Sequence, residues 1–283
     1  MLKLMDVAKA YGKNQVLYNI NINFDNRTGV YGLLGRNGVG KTTLMKMIFN
    51  MITTYDGQID YEGQNVKNNA EALKDIVYVG GNVYKNNSLY QGKIKHLFKA
   101  YDQMYETFDM TLANQLLSEF DIKDSMKFEK LSTGNKTIVQ NILGLATRVE
   151  VTILDEPTNG LDSVNRQIFF RHMMEDYDKH PRMFILSTHL IQEVENYLTD
   201  VIMLKDAKVL MAEPIEVIQS RSYRVKNYEF TDKKIIHQEK MGGFIVQDIY
   251  DILTDDEIQM VTEAGGTVEF LDLQSLFNDL MEG

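Results

Sequence analysis

A glycine-rich loop at residues 35–42 constrains this chain more than any other feature. The loop reads Gly-Arg-Asn-Gly-Val-Gly-Lys-Thr, and an apolar run at residues 30–34 leads directly into it. Glycines let backbone N–H groups converge on an anion, a lysine supplies a point charge for outer phosphates, and a threonine offers a hydroxyl to Mg²⁺. The pattern therefore indicates a nucleotide site rather than a chance glycine-rich turn. The candidate phosphate-binding residues are Gly35, Asn37, Gly38, Gly40, Lys41 and Thr42.

A helix is predicted to begin directly after this phosphate loop (residues 35–42). Leu44, Met47, Ile48 and Met51 recur at helical spacing, which predicts one buried face. A helix in this place points the positive end of its dipole at bound phosphates. The helix therefore adds to the interpretation of a nucleotide site.

Two adjacent acids follow a second buried-strand pattern. Residues 151–154 form a β-branched and apolar run, and Asp155 and Glu156 come directly after it. An aspartate at the tip of such a strand can hold a magnesium shell, and the glutamate beside it can polarise a water molecule. Taken alone, the pair is also compatible with an ordinary exposed loop. His189 follows another apolar run, at residues 183–186, so we expect its side chain at the same edge of the sheet.

Three motifs occur in a fixed order after the phosphate loop. Residues 131–135, called here the signature segment, read Leu-Ser-Thr-Gly-Asn; residues 154–162 read Leu-Asp-Glu-Pro-Thr-Asn-Gly-Leu-Asp; residues 187–189 read Ser-Thr-His. Together they resemble the ATP-binding subunit of ABC transporters over roughly residues 1–210, and the conjunction is far more specific than any single motif.

The resemblance implies a fold and a domain plan. The expected fold is α/β, a P-loop NTPase core with a mainly parallel sheet, an N-terminal antiparallel β layer, an inserted helical subdomain at about residues 86–135 and a small α+β C-terminal appendage. The implied domains are an ABC-type ATP-binding domain at residues 1–212 and the C-terminal extension at residues 213–283.

The resemblance also implies roles in nucleotide binding. Thr42 and Thr43 are expected to contact phosphate and magnesium. Tyr11 occupies the place of an aromatic that stacks on adenine, although a tyrosine on a surface strand is the alternative. Ser132 and Gly134 of the signature segment are expected to reach the γ-phosphate bound by the other protomer. Serine at the start of a helix is also a good N-cap, so a helix should follow it.

The same resemblance assigns the chemistry. Asp155, with Thr42, organises Mg²⁺, and Glu156 acts as general base for the attacking water. His189 contacts the γ-phosphate, and Asp162 lies at the dimer seam. The expected cofactors are therefore ATP and Mg²⁺.

Two departures from the family pattern concern the site. The family usually has a glutamine at about position 81, where this chain has Gly81; Asn82 has the same amide on a shorter arm and is the candidate substitute, with water as the alternative ligand for the magnesium shell. Within the signature segment, Thr133 replaces a glycine and Asn135 replaces a glutamine. A branched residue at position 133 is expected to slow closure.

Composition narrows the function classes. A formal net charge of −10 argues against nucleic-acid binding, because counterion release needs a basic surface. Cysteine is absent, which removes disulfides, thiolate metal sites and cysteine nucleophiles. No apolar run reaches the roughly 18 residues that span a bilayer. We therefore expect the chain to stay in the cytoplasm, and the resemblance implies that it lies at the cytoplasmic face of the membrane, held there through a permease.

Patterns elsewhere predict local structure. Strict alternation at residues 19–24 predicts a half-buried antiparallel strand. Leu97, Tyr101, Met104 and Phe108 are spaced for one helical face, and Thr254 is placed as the N-cap of a helix in the C-terminal extension.

The functional hypothesis is a Mg-dependent ATPase subunit that dimerises around ATP, as a homodimer or with a different ATP-binding subunit. It would power transport through a separate integral membrane permease, with export of peptide, antibiotic or lipid-like cargo. The alternatives are a soluble ABC-type ATP switch that acts on a non-membrane partner, and a degenerate ATP-binding partner with little hydrolysis.

Overall fold

The computed structural model describes residues 1–25, 27–81, 83–85 and 87–282 of the chain. Within these residues it contains the following strands and helices. The strands are β1 (Leu2–Tyr11), β2 (Asn14–Phe24), β3 (Gly29–Gly35), β4 (Asp56–Tyr61), β5 (Gln64–Asn65), β6 (Ile76–Gly80), β7 (Val151–Asp155), β8 (Met183–Ser187), β9 (Asp200–Lys205), β10 (Lys208–Pro214), β11 (Ser222–Lys226), β12 (Ile235–Met241), β13 (Phe244–Tyr250) and β14 (Thr267–Phe270). The α-helices are α1 (Lys41–Ile48), α2 (Ala70–Leu73), α3 (Ile94–Met104), α4 (Met110–Glu119), α5 (Thr133–Thr147), α6 (Ser163–Lys179), α7 (Ile191–Val194), α8 (Ile215–Gln219), α9 (Asp255–Glu263) and α10 (Leu273–Glu282). No α-helix among the described residues is long and apolar enough to cross a membrane.

A six-stranded sheet positions the site. Its strand order is β10-β9-β3-β8-β7-β6, and β9, β3, β8, β7 and β6 pair in parallel along that order. Strands β3, β6, β7 and β8 are buried along their whole length, because other elements cover both faces of this sheet. The carboxyl ends of parallel strands lie at one edge. Asp155 at the end of β7, Ser187 at the end of β8 and the phosphate loop at the end of β3 therefore meet at that edge. The predicted α/β class is confirmed.

A second sheet packs onto this core. It is antiparallel, with the order β2-β1-β4-β5, and its buried side chains join those of β3, β7 and β8 in one hydrophobic cluster. Alternate residues of β2 are buried, as the alternation at residues 19–24 predicted. Strands β4 and β5 of this sheet come after the phosphate loop in the chain, which the sequence did not reveal.

Two methionines assigned to buried helical faces are exposed. Helix α1 ends at Ile48, and Asn50 has a left-handed φ of 57°, so Met51 lies beyond the helix with 48% of its surface exposed. Met104 is the last residue of α3 and is 59% exposed. Phe108 is buried as expected, but it lies between α3 and α4. The centroid of its ring is 6.2 Å from that of Phe98. Met51 and Met104 are exposed because each lies at or beyond the end of its helix, and the spacing of apolar residues does not predict where a helix ends.

The described chain forms two compact units. One consists of residues 1–189 and 200–212, and the other of residues 190–199 and 213–283, of which Gly283 is outside the described residues. The second unit holds an antiparallel sheet of order β12-β13-β11-β14 and helix α9, which Thr254 caps in a capping box with Glu257, as predicted for Thr254. The domain bounds 1–212 and 213–283 stay a prediction, since the second unit also includes residues 190–199.

A carboxyl pair lies inside the second unit. Asp248 of β13 is fully buried and accepts bonds from Arg224 Nε at 2.7 Å and Nη2 at 2.6 Å. Asp279 of α10 lies beside it, and its Oδ2 has no hydrogen-bond partner among the described residues. Burial, followed by the nearby Asp248 carboxylate, raises the pKa of Asp279 to about 7, while His237 and Arg224 act in the opposite direction. Asp279 therefore binds a proton more tightly in the folded protein than in the unfolded chain, where an aspartate has a pKa of about 3.9.

This difference predicts a pH-dependent stability. The Asp279 contribution to the free energy of unfolding is fully present below about pH 4 and is lost as the pH rises to about 7. Asp279→Asn should therefore raise the melting temperature relative to wild type by about 2 °C or more at pH 8, with a smaller gain at pH 5. Thermal melts followed by circular dichroism at both pH values test this. Glu282→Gln, on the exposed side of the same helix, is the matched control and should show no such pH-dependent gain; an equal gain for Asp279→Asn at both pH values would contradict the prediction.

Candidate nucleotide site

The buried carboxylate of Asp155 is the centre of the site. Asp155 ends β7 and is 3% exposed. Its Oδ1 accepts hydrogen bonds from Thr42 Oγ1 at 3.0 Å and Ser187 Oγ at 2.8 Å, and its Oδ2 accepts one from Tyr78 OH at 2.7 Å. Burial, with the Asp155 charge and hydrogen bond, raises the pKa of the Tyr78 hydroxyl far above its usual range, so Tyr78 is the donor. Three hydroxyls from three elements therefore hold one carboxylate in place.

The phosphate loop has the backbone of an anion-binding turn. Gly38 and Gly40 adopt positive φ angles of 83° and 114°, and Gly40 is the N-cap of α1 with its carbonyl accepting the Leu44 N–H at 2.9 Å. Asn37 is exposed in the loop, and Thr43 is half-buried in the first turn of α1. The N–H groups at the start of α1 have no partner within the helix, so they are available to an anion.

The Lys41 side chain folds back onto the phosphate loop. Its ammonium is buried and donates to the carbonyl oxygens of Gly35 at 2.6 Å and Arg36 at 3.4 Å. Burial lowers the pKa of this ammonium, and the carboxylates of Glu156 and Asp155 act in the opposite direction. A cation held by weak carbonyl acceptors next to two carboxylates is placed to pair with phosphate oxygens.

Glu156 and His189 form a pair at the edge of the sheet. His189 Nδ1 lies 2.9 Å from Glu156 Oε2, and the Glu156 N–H donates to Ser187 Oγ at 2.9 Å. Glu156 has a left-handed φ of 53°, a conformation that costs free energy for a residue with a Cβ and that clusters at functional sites. The strand end and this turn together bring the carboxylate beside the imidazole.

The signature segment packs against the residues that follow Glu156. Ser132 is the N-cap of α5, as predicted, and its Oγ accepts the Asn135 N–H at 3.2 Å. Gly134 lies so close to the segment at residues 157–160 that a Cβ there would come within 2.5 Å of the Gly160 carbonyl oxygen. Thr137 Oγ1 also donates to the Asn159 carbonyl at 2.9 Å. Position 134 therefore has a packing reason to be glycine, independent of any ligand.

Two other predicted residues, Tyr11 and Asp162, make their described contacts elsewhere. Tyr11 ends β1 and is 51% exposed, with Lys9 Nζ 4.8 Å above its ring. Asp162 is the N-cap of α6 and accepts the Asn165 N–H at 2.8 Å. Asn82, the candidate substitute for the missing glutamine, lies outside the described residues.

A cavity of about 300 Å³ opens beside Asp155. Three of the predicted site residues line it: Thr42, Asp155 and Glu156. The following lining residues were not in the predicted set: Lys46, Gly80, Gly81, Tyr84, Thr133, Lys136, Thr137, Gln140 and Asn159. Tyr78 and Ser187 were also missed as partners of Asp155. The sequence did contain two signals for these contacts, Tyr78 and Gln140, which are polar residues inside otherwise apolar runs. A polar group that is buried in such a run needs a hydrogen-bond partner.

The donor set fits a magnesium ion. Mg²⁺ prefers hard oxygen ligands and is bound in nucleotide sites through one or two protein groups besides the phosphates. The Thr42 hydroxyl and the Asp155 carboxylate, 3.0 Å apart at the phosphate loop, supply such oxygens. The described residues show no cluster of three or more metal-binding side chains that would form a site made of protein groups alone.

Fold and site define a nucleotide-binding protein of the phosphate-loop class. The family model described as ABC transporter matches residues 17–159, which is half of the chain. The chain therefore belongs to the ABC transporter family, and the resemblance to its ATP-binding subunits is confirmed.

Curated relatives match most of the chain. The bacitracin transport ATP-binding protein BcrA of Bacillus licheniformis is 29% identical and covers 94% of this chain and 86% of the relative. The ABC transporter ATP-binding protein YtrB of Bacillus subtilis is 27% identical over 85% of this chain and 81% of the relative. The lantibiotic transport ATP-binding protein SrtF of Streptococcus pyogenes is 28% identical over 75% of this chain and 90% of the relative.

Solved structures share the fold. An ATP-binding subunit of an ABC transporter superposes with a TM-score of 0.66 at 22% identity, over 77% of this chain and 92% of that one. The ATP-binding cassette MJ0796, in a dimeric post-hydrolysis state bound to ADP and phosphate, superposes with a TM-score of 0.63 at 21% identity, over 76% of this chain and 99% of that one.

The Tyr78 hydroxyl generates a testable prediction. Tyr78→Phe removes one donor and leaves Asp155 Oδ2 buried without it, so the free energy of unfolding should fall by about 1–3 kcal/mol. Urea denaturation measures the loss. Tyr18→Phe, at a tyrosine that is 53% exposed, is the matched control and should change little. Equal stability of the two variants would show that the bond to Asp155 adds nothing to the fold.

Proposed function

We propose that this chain is the Mg-dependent, ATP-hydrolysing subunit of a transporter, that it dimerises around ATP, and that it powers export through a separate integral membrane permease. The observation that supports hydrolysis best is the grouping of side chains at one edge of the parallel sheet. There the Asp155 carboxylate lies 3.0 Å from the Thr42 hydroxyl, and the next residue, Glu156, pairs with His189 at 2.9 Å.

The phosphate loop and the residues around it are proposed to bind ATP. Backbone N–H groups at the start of α1 and the Lys41 ammonium bind the outer phosphates, and Thr43 lies in the same turn. Thr42 and Asp155 would hold Mg²⁺, which when bound neutralises charge on the phosphate oxygens. Tyr11 is the proposed partner of the adenine. Since phosphoryl transfer is mostly a matter of positioning and electrostatics, this fixed arrangement is the larger part of the proposed catalysis.

Glu156 is the proposed general base. Its carboxylate takes a proton from the water that attacks the terminal phosphate, and the imidazole of His189 orients the carboxylate through the 2.9 Å contact. The Glu156 side chain is 24% exposed, so solvent reaches it while the surrounding protein still limits its freedom. His189 would also contact the γ-phosphate once the nucleotide is bound.

Dimerisation would complete the site. The Ser132 hydroxyl, the Gly134 N–H and the positive end of the α5 dipole are proposed to bind the γ-phosphate held by the other protomer, with Asp162 at the seam. In this arrangement ATP stabilises the closed dimer, and hydrolysis lets the dimer open. The permease would change conformation together with this closing and opening. The second ATP-binding subunit is another copy of this chain or a different ATPase.

Export is supported by the named relatives. BcrA and SrtF are named for bacitracin and lantibiotic transport, and both match this chain over three quarters or more of its length. We therefore propose a peptide, antibiotic or lipid-like cargo. The subunit would be peripheral to the membrane, on its cytoplasmic face, and attached through the permease.

The general base can be tested directly. Glu156→Gln keeps the shape of the side chain and removes its basicity, so the rate of ATP hydrolysis should fall about 100-fold or more while ATP binding is retained. Phosphate release and equilibrium binding of ATP, both with Mg²⁺, measure the two quantities. Glu106→Gln, at an exposed glutamate outside the site, should leave both unchanged. A Glu156→Gln variant that hydrolyses ATP at the wild-type rate would show that another group is the base.

Dimerisation predicts a concentration dependence. If two protomers complete each site, the hydrolysis rate per molecule should rise with protein concentration and level off once dimers dominate. In Glu156→Gln, ATP with Mg²⁺ should shift the sedimentation coefficient from monomer to dimer. Lys41→Ala in the same background lacks the phosphate contact and should remain monomeric. A rate per molecule that is constant over a 100-fold range of concentration would contradict assembly around ATP.

A further inference from the structure

The side-chain amide nitrogen of Gln140 is buried and has no hydrogen-bond partner among the described residues. Gln140 lies in α5 and is 3% exposed. Its neighbours differ, because Asn141 Nδ2 donates to the Pro157 carbonyl at 2.6 Å and Thr137 Oγ1 donates to the Asn159 carbonyl at 2.9 Å. More than about nine in ten buried polar groups are hydrogen-bonded, so the Gln140 amide requires a specific explanation.

The packing of α5 directs Gln140 towards the nucleotide site. Gly144 lies against the sheet, where an added Cβ would come within 2.8 Å of Val79 Cγ2 and 3.3 Å of Leu154 Cδ2. Gln140 is one helical turn before Gly144 and shares its face. Val79 and Leu154 are the last residues but one of β6 and β7, so the preceding turn of α5 meets the ends of these strands.

Gln140 and Glu156, the proposed general base, line the same cavity. The volume of about 300 Å³ is at the lower limit of ligand sites, which suits terminal phosphate with its metal and water better than a whole nucleotide. Thr42, Asp155 and Glu156 line this cavity, and Lys46 and Lys136 add two cations to the lining. A hydrogen-bond donor in such a cavity has an anionic oxygen as its natural acceptor.

We propose that the side-chain amide of Gln140 donates a hydrogen bond to the terminal phosphate of ATP bound at the phosphate loop, and so distinguishes ATP from ADP. The proposal deepens the proposed function and rests on it. Gly81 stands where the family resemblance expects a glutamine, and Gln140 of α5 lines the same cavity as Gly81.

The test compares the affinities for two nucleotides. Gln140→Met keeps the length and helix preference of the side chain and removes the amide. It is made in the Glu156→Gln background so that ATP is not consumed, and Gln115→Met, on the exposed side of α4, is the matched control. Equilibrium dialysis with Mg²⁺ and labelled nucleotide should show affinity for ATP reduced about 10-fold or more by Gln140→Met, with affinity for ADP changed less than about 2-fold. Gln115→Met should bind both nucleotides as the parent does.

A second readout separates ligand binding from packing. In the absence of nucleotide, Gln140→Met should melt at or above the temperature of its parent, because the substitution removes a buried amide nitrogen that has no partner among the described residues. Unchanged affinity for ATP, equal losses for ATP and ADP, or a lower melting temperature without nucleotide would each overturn the assignment. A parent that binds neither nucleotide would refute the proposed function and this inference together, whereas a parent that binds ATP no better than Gln140→Met does would refute this inference alone.

Discussion

The burial of the Asp155 carboxylate is the constraint on which the site depends. An ionised carboxylate loses its hydration when it is buried, and hydrogen bonds from the protein must replace that hydration. Thr42, Ser187 and Tyr78 provide three such bonds, and they come from the helix after the phosphate loop and from the two strands beside β7. One charged group therefore fixes the relative positions of three elements. Lys41 begins one of these elements, and Glu156 directly follows the carboxylate.

The parallel sheet makes this arrangement possible. Its five parallel strands present their carboxyl ends at one edge, so residues far apart in the chain meet without a long connection. Asp155 and Tyr78 are separated by 77 positions, and Asp155 and Thr42 by 113. In the paired register Gly80 lies opposite Asp155, and Tyr78 lies opposite Ile153, two residues before the carboxylate. The chemistry is thus placed by strand register, and the side chains need only short reaches.

Much of the fold was predictable, because its signals are local. The phosphate loop, the buried run before Asp155 and the cap at Ser132 each occupy a few consecutive residues, and each was found at its predicted place. Met51 and Met104 were misplaced because spacing indicates a helical face but not the residue at which the helix ends. Tyr78 and Gln140 were not predicted as site residues, for a different reason. Their importance comes from contacts across β6, β7 and α5, and no local pattern in the sequence encodes those contacts.

Helix α5 links two parts of the proposed site through packing. Its first turn is in contact with the segment that follows Glu156, since no Cβ fits between Gly134 and the Gly160 carbonyl. Two turns further on, Asn141 bonds to the Pro157 carbonyl at the other end of that segment. Packed elements at such distances behave as one rigid piece rather than deforming separately. A shift of the turn at Glu156 must therefore move Ser132 or break these contacts, so the position of the signature segment depends on the state of the residue proposed as general base.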